Sequence, residues 1–169
     1  TSVPTLAVIP RQPLGAERPD DVVMFRDPNS IDAEAYRTLR TAFEFVVGKS
    51  NEAAESAGRC TVVLVTSPRP GEGKSSVAAN LAAASAIAGR RVTLVDGDLR
   101  KPQVHRLFHL ANTVGLATLL AGETTLKAAV HHLDGSGDLV VLSAGPPPSD
   151  PAELLTNERF ADVLERLAD

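Results

Sequence analysis

The chain has 169 residues, 43% hydrophobic and 22% charged, with 21 acidic against 17 basic side chains and a net charge of -4. That length builds one domain with a core of its own, and the acidic balance leaves no basic footprint for nucleic acid. A single cysteine, Cys60, provides no disulfide framework, and no apolar run approaches the roughly 18–20 residues that span a bilayer. A reducing compartment and no signal peptide are expected, and the start at Thr1 and the helical pattern at Asp169 read as a piece of a longer protein.

Residues 1–28 are rich in proline and poor in periodicity, so they read as a linker, with 6–10 as a short extended segment. Asn29-Ser30 offers an N-cap, with Asp32 and Glu34 in the first turn where the helix dipole favours acids. Tyr36, Leu39, Phe43 and Val46/Val47 follow at helical spacing, which predicts a helix over 29–48 closed by Gly48, and then a loop over 49–58. Glu34, Arg37 and Arg40 spread along one side of this helix and are expected to find their partners outside it.

Residues 61–66 form an apolar, β-branched run that reads as the first strand, with Cys60 inside it. Next comes Ser67-Pro68-Arg69-Pro70-Gly71-Glu72-Gly73-Lys74-Ser75-Ser76, and then an alanine-rich helix over 77–88 with Gly89 as its stop. Strand, glycine-rich loop, Gly-Lys-Ser and helix form the phosphate-binding P-loop arrangement. Gly71 and Gly73 let consecutive N–H groups turn toward phosphate oxygens, and the following helix adds partial positive charge. Pro70 to Ser76 are the candidate nucleotide-binding residues: Pro70, Gly71, Glu72, Gly73, Lys74, Ser75 and Ser76. Lys74 reaches the β- and γ-phosphates of ATP, and the Ser75 hydroxyl is placed to ligate Mg²⁺. The first glycine of the usual pattern falls at Pro68.

A second strand at 92–95 ends in Asp96-Gly97-Asp98-Leu99-Arg100. Two carboxylates at the carboxyl end of a strand sit where open α/β sheets bind ligands, so Asp96 and Asp98 are candidate catalytic and Mg²⁺-holding groups beside Lys74 and Ser75. Residues 102–133 read as three short helices, and His105, His109, His131 and His132 carry no metal-ligand spacing. A third strand at 139–142, a rigid loop over 145–151 and one amphipathic helix over 152–167 complete the pattern. Strands alternating with helices imply an α/β fold with a doubly wound, mainly parallel sheet.

Four motifs then occur in order: Glu34-x-x-Arg37-x-x-Arg40; Thr66 to Ser75; Leu94-Val95-Asp96-Gly97-Asp98-Leu99-Arg100; and Gly145-x-x-Pro148-x-x-Pro151-Ala152-Glu153-Leu154-Leu155. Together they resemble the cytoplasmic kinase domain of the bacterial tyrosine kinases that control capsular and exopolysaccharide export, over about residues 5–169. The resemblance implies a P-loop NTPase fold and an autophosphorylating, non-specific protein-tyrosine kinase using ATP and Mg²⁺. Lys74 and Ser75 would belong to Walker A, and Asp96 and Asp98 to Walker A′. Glu34, Arg37 and Arg40 match the helix through which the family packs into a ring. There a neighbour's tyrosine-rich tail enters as substrate, at the cytoplasmic face of the bacterial inner membrane. The family's membrane part is either a separate adaptor or a transmembrane segment of the same protein.

By this resemblance 29–169 is the kinase domain, with its nucleotide-binding core over 59–169, and a Walker B strand would follow residue 167. Without that strand and the tyrosine-rich tail, the chain alone is expected to bind ATP weakly and not to transfer phosphate. Tyr36 is the only tyrosine, and Arg69 stands where partition-type ATPases carry a signature lysine. Two alternatives stay open: a P-loop ATPase of the partition or cluster-assembly type, and a non-catalytic nucleotide-binding regulator of polysaccharide export.

Overall fold

The sheet grows from two apolar runs that pair in parallel. In a computed structural model, which describes residues 4–10, 21–56, 60–133 and 135–168, β1 (Val92–Val95) lies along β3 (Leu139–Leu142) in register Val92 with Leu139 through Val95 with Leu142. The short β2 (Val130–His132) pairs antiparallel with the other edge of β3, which gives the order β1-β3-β2.

Side chains alternate across these strands. Leu94, Leu139 and Val141 face one layer, built from α1 (Val23–Arg26), α2 (Ile31–Ser56), α3 (Lys74–Ile87) and α4 (Val104–Leu107). Val95 and Leu142 face the other, built from α5 (Leu116–Leu120), α6 (Leu126–Ala129), α7 (Pro151–Thr156) and α8 (Glu158–Ala168). Helices on both faces make the doubly wound α/β arrangement that the sequence predicts. Five alanines of α3 are buried, Ala79, Ala82, Ala83, Ala84 and Ala86, and such small side chains let the helix backbone lie close on its neighbours. Ser30 caps α2 as expected, its hydroxyl accepting from the Ala33 N–H at 3.2 Å.

Several boundaries differ from the sequence reading. α2 does not stop at Gly48 but runs on through Ser56, because glycine inside a helix is a cost of about 1 kcal/mol rather than a stop. The linker segment contributes to the core: Val22, Val23 and Met24 are buried, and the Met24 N–H donates to Asn80 Oδ1 of α3 at 3.2 Å. Residues 130–132, read as helix, form β2, since a short apolar run does not declare its period. The single helix expected over 152–167 is two, broken at Asn157. The linker expected over 11–20 lies outside the described residues.

The largest difference is at 61–66. This run is in no strand, and Val62, Val63 and Leu64 are 69%, 46% and 86% exposed. A strand needs a hydrogen-bonding neighbour, and among the described residues β1 pairs only with β3, so nothing in the sheet receives the run. Cys60 is accordingly exposed rather than inside a strand.

Beyond β3 the chain is clamped. The Leu116 and Ala117 N–H groups donate to the Ser143 and Ala144 carbonyls, both at 2.8 Å, while Asn112 brackets Gly145 with Nδ2 on its carbonyl at 2.7 Å and Oδ1 on its N–H at 2.9 Å. The backbones approach so closely that a Cβ on Gly115 would stand 2.3 Å from Gly145 N and Ser143 O. Its φ of 176° suits any residue, so space alone requires glycine here. Gly115→Ala should therefore lower stability by roughly 1–3 kcal/mol through overpacking, read as the urea midpoint. An unchanged midpoint would mean that the clamp opens at no cost.

Candidate nucleotide-binding site

The loop before α3 is shaped by two glycines. Gly71 has φ 78° and Gly73, the N-cap of α3, has φ 92° and ψ 16°. An added Cβ would meet nothing within 4 Å at either position, so the left-handed backbone and not crowding calls for glycine. Ser67 Oγ donates to the Arg69 carbonyl at 2.9 Å, and the Arg69 N–H donates to Glu72 Oε2 at 3.3 Å, which folds 67–72 back on itself. Lys74 opens α3, with Ser75 and Ser76 in the same first turn, where a helix gathers unpaired N–H groups and partial positive charge.

The end of β1 faces this loop. Lys74 Nζ lies 3.4 Å from Asp98 Oδ2, with both side chains about one-third exposed. An ion pair this open contributes about 0–1 kcal/mol, so a stronger anion can take Lys74 from it. Asp96 is different: it is 3% exposed and turned into the protein. Its Oδ1 accepts from the Asp98 N–H at 3.1 Å, and its Oδ2 accepts from the Gln103 and Val104 N–H groups at 3.2 and 3.1 Å. Burial raises its carboxyl above the ordinary aspartate range, the three backbone bonds pull it back, and the Asp98 charge adds a smaller push upward. The net rise says that desolvation outweighs the hydrogen bonds.

These residues suit a magnesium ion. Magnesium prefers oxygen donors and keeps several waters, taking one or two carboxylates plus substrate phosphates. Ser75 Oγ and the half-buried Asp98 carboxylate are such donors, and no cluster of three or more His, Cys, Asp or Glu occurs among the described residues, so no all-protein cage competes. Three of the roughly four acceptor positions of Asp96 are already taken by backbone. Its geometry therefore suits holding the 98–104 turn rather than direct ligation, which narrows the sequence reading.

A cleft of about 330 Å³ joins the two elements, and Ser67, Arg69, Lys74, Asp98, Arg100 and Lys101 line it. Lys74 and Asp98 thus meet as the sequence predicts, with Pro70 also on the wall. Arg100 and Lys101, five and six residues past the end of β1, join Arg69 only once the fold brings 69 and 100–101 together. Glu34, Arg37 and Arg40 line a separate groove on α2. Their expected lack of partners within the helix is corrected: Arg37 Nη1 pairs with Glu34 Oε2 at 2.8 Å, Arg37 Nη2 also reaches the Pro28 carbonyl, and Arg40 Nη1 lies 3.5 Å from Glu44 Oε2.

The fold is of the P-loop NTPase type, and the family model described as ParA, NUBPL iron-transfer P-loop NTPase, matches residues 59–131. Wider similarities reach the N-terminal helices as well. The tyrosine-protein kinase YwqD of Bacillus subtilis is 41% identical over 158 residues, covering 90% of this chain and 61% of the relative. The tyrosine-protein kinase ptk of Acinetobacter johnsonii is 30% identical over 99% of this chain and 23% of its own length. The kinase domain of Escherichia coli tyrosine kinase ETK superposes with a TM-score of 0.77 at 31% identity, covering 88% of this chain and 55% of that one. The chain is a homologue of the bacterial tyrosine-protein kinases and has the fold of their kinase domains. It spans less than two thirds of these relatives' length.

The raised Asp96 carboxyl has a sign that can be checked. A folded-state value above the unfolded one makes the charged form a cost at neutral pH, and the cost disappears as pH falls through the folded-state titration. Asp96→Ala should destabilise the protein by about 1–3 kcal/mol, because buried N–H groups lose their acceptor, and the gap to wild type should widen from pH 7 to about pH 4. A gap that narrows on acidification, in paired urea titrations, would contradict this account of Asp96.

Proposed function

We propose that this chain is the nucleotide-binding core of an ATP- and Mg²⁺-dependent, autophosphorylating protein-tyrosine kinase serving capsular or exopolysaccharide export. The Lys74–Asp98 pair at the mouth of the glycine loop is the observation that carries it. In this reading the 71–76 backbone cradles the phosphates, Lys74 leaves Asp98 to compensate the β- and γ-phosphates, and Ser75 and Asp98 hold Mg²⁺. Bound magnesium supplies charge neutralisation of the phosphates. A tyrosine hydroxyl oxygen attacks the γ-phosphorus in line, the bond from that phosphorus to the β-bridging oxygen breaks, ADP leaves, and the phenolic proton passes to Asp98. Asp96 acts through the turn that it holds.

Tyr36 is not the acceptor in this reading. It is 6% exposed, packed in the core between α2 and its neighbours, and its hydroxyl is pushed above the usual tyrosine range by burial and by the Asp32 charge. The substrate is a tyrosine-rich tail presented by a neighbouring subunit. The neighbours assemble as a ring through the Glu34, Arg37 and Arg40 face of α2, where Arg40 Nε is buried without a hydrogen-bond partner and Phe45 and Ile31 are 63% and 83% exposed. The site of action in this reading is the cytoplasmic face of the bacterial plasma membrane, reached through a membrane adaptor or a segment outside this chain; no described helix is long and apolar enough to cross a bilayer.

The partition-type ATPases share the loop, and the match favours that alternative over residues 59–131 alone. The similarity to named tyrosine kinases extends over α2 and the 145–155 motif and favours the kinase. Incubating the full-length protein with MgATP and probing for phosphotyrosine separates the two.

Lys74→Met tests the loop. A hydrogen bond to a charged group contributes roughly 1.5–3 kcal/mol, so affinity for a fluorescent ATP analogue should fall about tenfold or more. Equal dissociation constants would end the P-loop reading. Arg37→Ala with Arg40→Ala tests the ring. Light scattering in MgATP should report smaller species, with the melting temperature lower by only a few degrees, because the Arg37–Glu34 pair is open to solvent and the Arg40–Glu44 pair is long at 3.5 Å. A double variant that keeps the wild-type mass would remove this face from the assembly.

A further inference from the structure

The cations of the cleft outnumber what its visible anions need. Lys74 is matched by Asp98, and Arg37, Arg40 and Arg90 elsewhere on the surface each have a carboxylate within 4 Å. Arg69, Arg100 and Lys101 are exposed, line the cleft, and have no ion pair among the described residues. This gathering runs against a chain whose net charge is -4. The three come from two elements that flank the Lys74–Asp98 pair. Arg69 sits in the loop before α3, and Arg100 and Lys101 sit in the turn after β1.

The position of that turn is fixed rather than fortuitous. Asp98 Oδ1 accepts from the Lys101 N–H at 3.0 Å, and Asp96 anchors the same turn at Asp98, Gln103 and Val104. The backbone of 98–101 therefore holds Arg100 and Lys101 beside the carboxylate that would receive the acceptor hydroxyl. A polyphosphate lying on the glycine loop is met by loop N–H groups and Lys74. The rim charges face whatever passes over Asp98 from one wall to the other.

We infer that Arg69, Arg100 and Lys101 form a docking rim for an acidic peptide segment that carries its tyrosine to Asp98. The inference rests on the kinase reading for the tyrosine, and on the cleft alone for the acidic flanks. Carboxylates on one side of the tyrosine pair with Arg69, and those on the other side pair with Arg100 and Lys101. Arg forks bind carboxylates through two parallel hydrogen bonds, so this rim selects flanking Glu or Asp over neutral or basic residues.

The test is fluorescence anisotropy with the full chain saturated with Mg²⁺ and a non-hydrolysable ATP analogue. Two labelled peptides are compared, one with glutamates on both sides of a tyrosine and one with glutamines there. The glutamate peptide should bind about tenfold more tightly or better, and lose this advantage as salt rises. Arg69→Gln with Lys101→Gln should abolish the advantage and weaken the ATP analogue by a smaller factor than it weakens the glutamate peptide; Arg100→Gln, made separately, should reduce the advantage in part. Equal binding of the two peptides by wild type would overturn the rim, and so would a loss of nucleotide affinity as large as the loss of peptide affinity. Phosphotyrosine assays on the full-length protein, with MgATP in place of the analogue, keep the two readings apart. Selective binding without phosphorylation supports the rim and counts against the kinase, whereas phosphorylation indifferent to the flanks does the reverse.

Discussion

Asp96 is the residue on which the site's geometry depends. A buried carboxylate is expensive, and here the rise of its titration above the ordinary range says that the expense is not fully offset. What it secures is a backbone shape. Three N–H groups from residues 98, 103 and 104 converge on its two oxygens, so the chain leaving β1 turns at once instead of running on as a strand. That turn brings Asp98 to 3.4 Å from Lys74 and sets Arg100 and Lys101 along the cleft. Asparagine would not serve, since its amide nitrogen would point a donor at a donor.

The second support is α3. Its buried alanines let it lie against α1, α2 and the sheet together, and its one buried polar side chain is put to use. Asn80 accepts from the Met24 N–H and donates to the Ser76 carbonyl at 2.9 Å, so it ties the N-terminal segment to the first turns of the phosphate-facing helix. On the far face, Arg159 Nη1 donates to the Leu120 carbonyl at 3.1 Å and joins α8 to α5.

How much of this the sequence carried depended on how local each feature is. Gly71, Gly73, Lys74 and Ser75 could be read from spacing, because a phosphate loop is made by consecutive residues and the helix that follows them. Asp96 and Asp98 could be found for the same reason, but their division of labour could not: it depends on where residues 103 and 104 return. The run at 61–66 has strand composition, yet a strand is a relation between two segments, and composition describes one. The pairing of 130–132 with β3 likewise rests on a neighbour that periodicity does not see. The self-pairing of Glu34 and Arg37 was available from their three-residue spacing, which brings oppositely charged side chains together on a helix.

The length of α3 has a consequence for how the two charged regions relate. Its 14 residues span about 21 Å, with Lys74 at one end and, just past the other, Arg90, whose Nε lies 3.7 Å from the Glu44 carboxylate that also meets Arg40. At physiological salt, charges seen through solvent fade over about 8 Å. Through solvent, a phosphate arriving at Lys74 is therefore largely screened at the far end of α3, more than two screening lengths along the helix. If the nucleotide end and the α2 face respond to one another, the signal must travel as displacement of the helix itself, a rigid rod lodged between them.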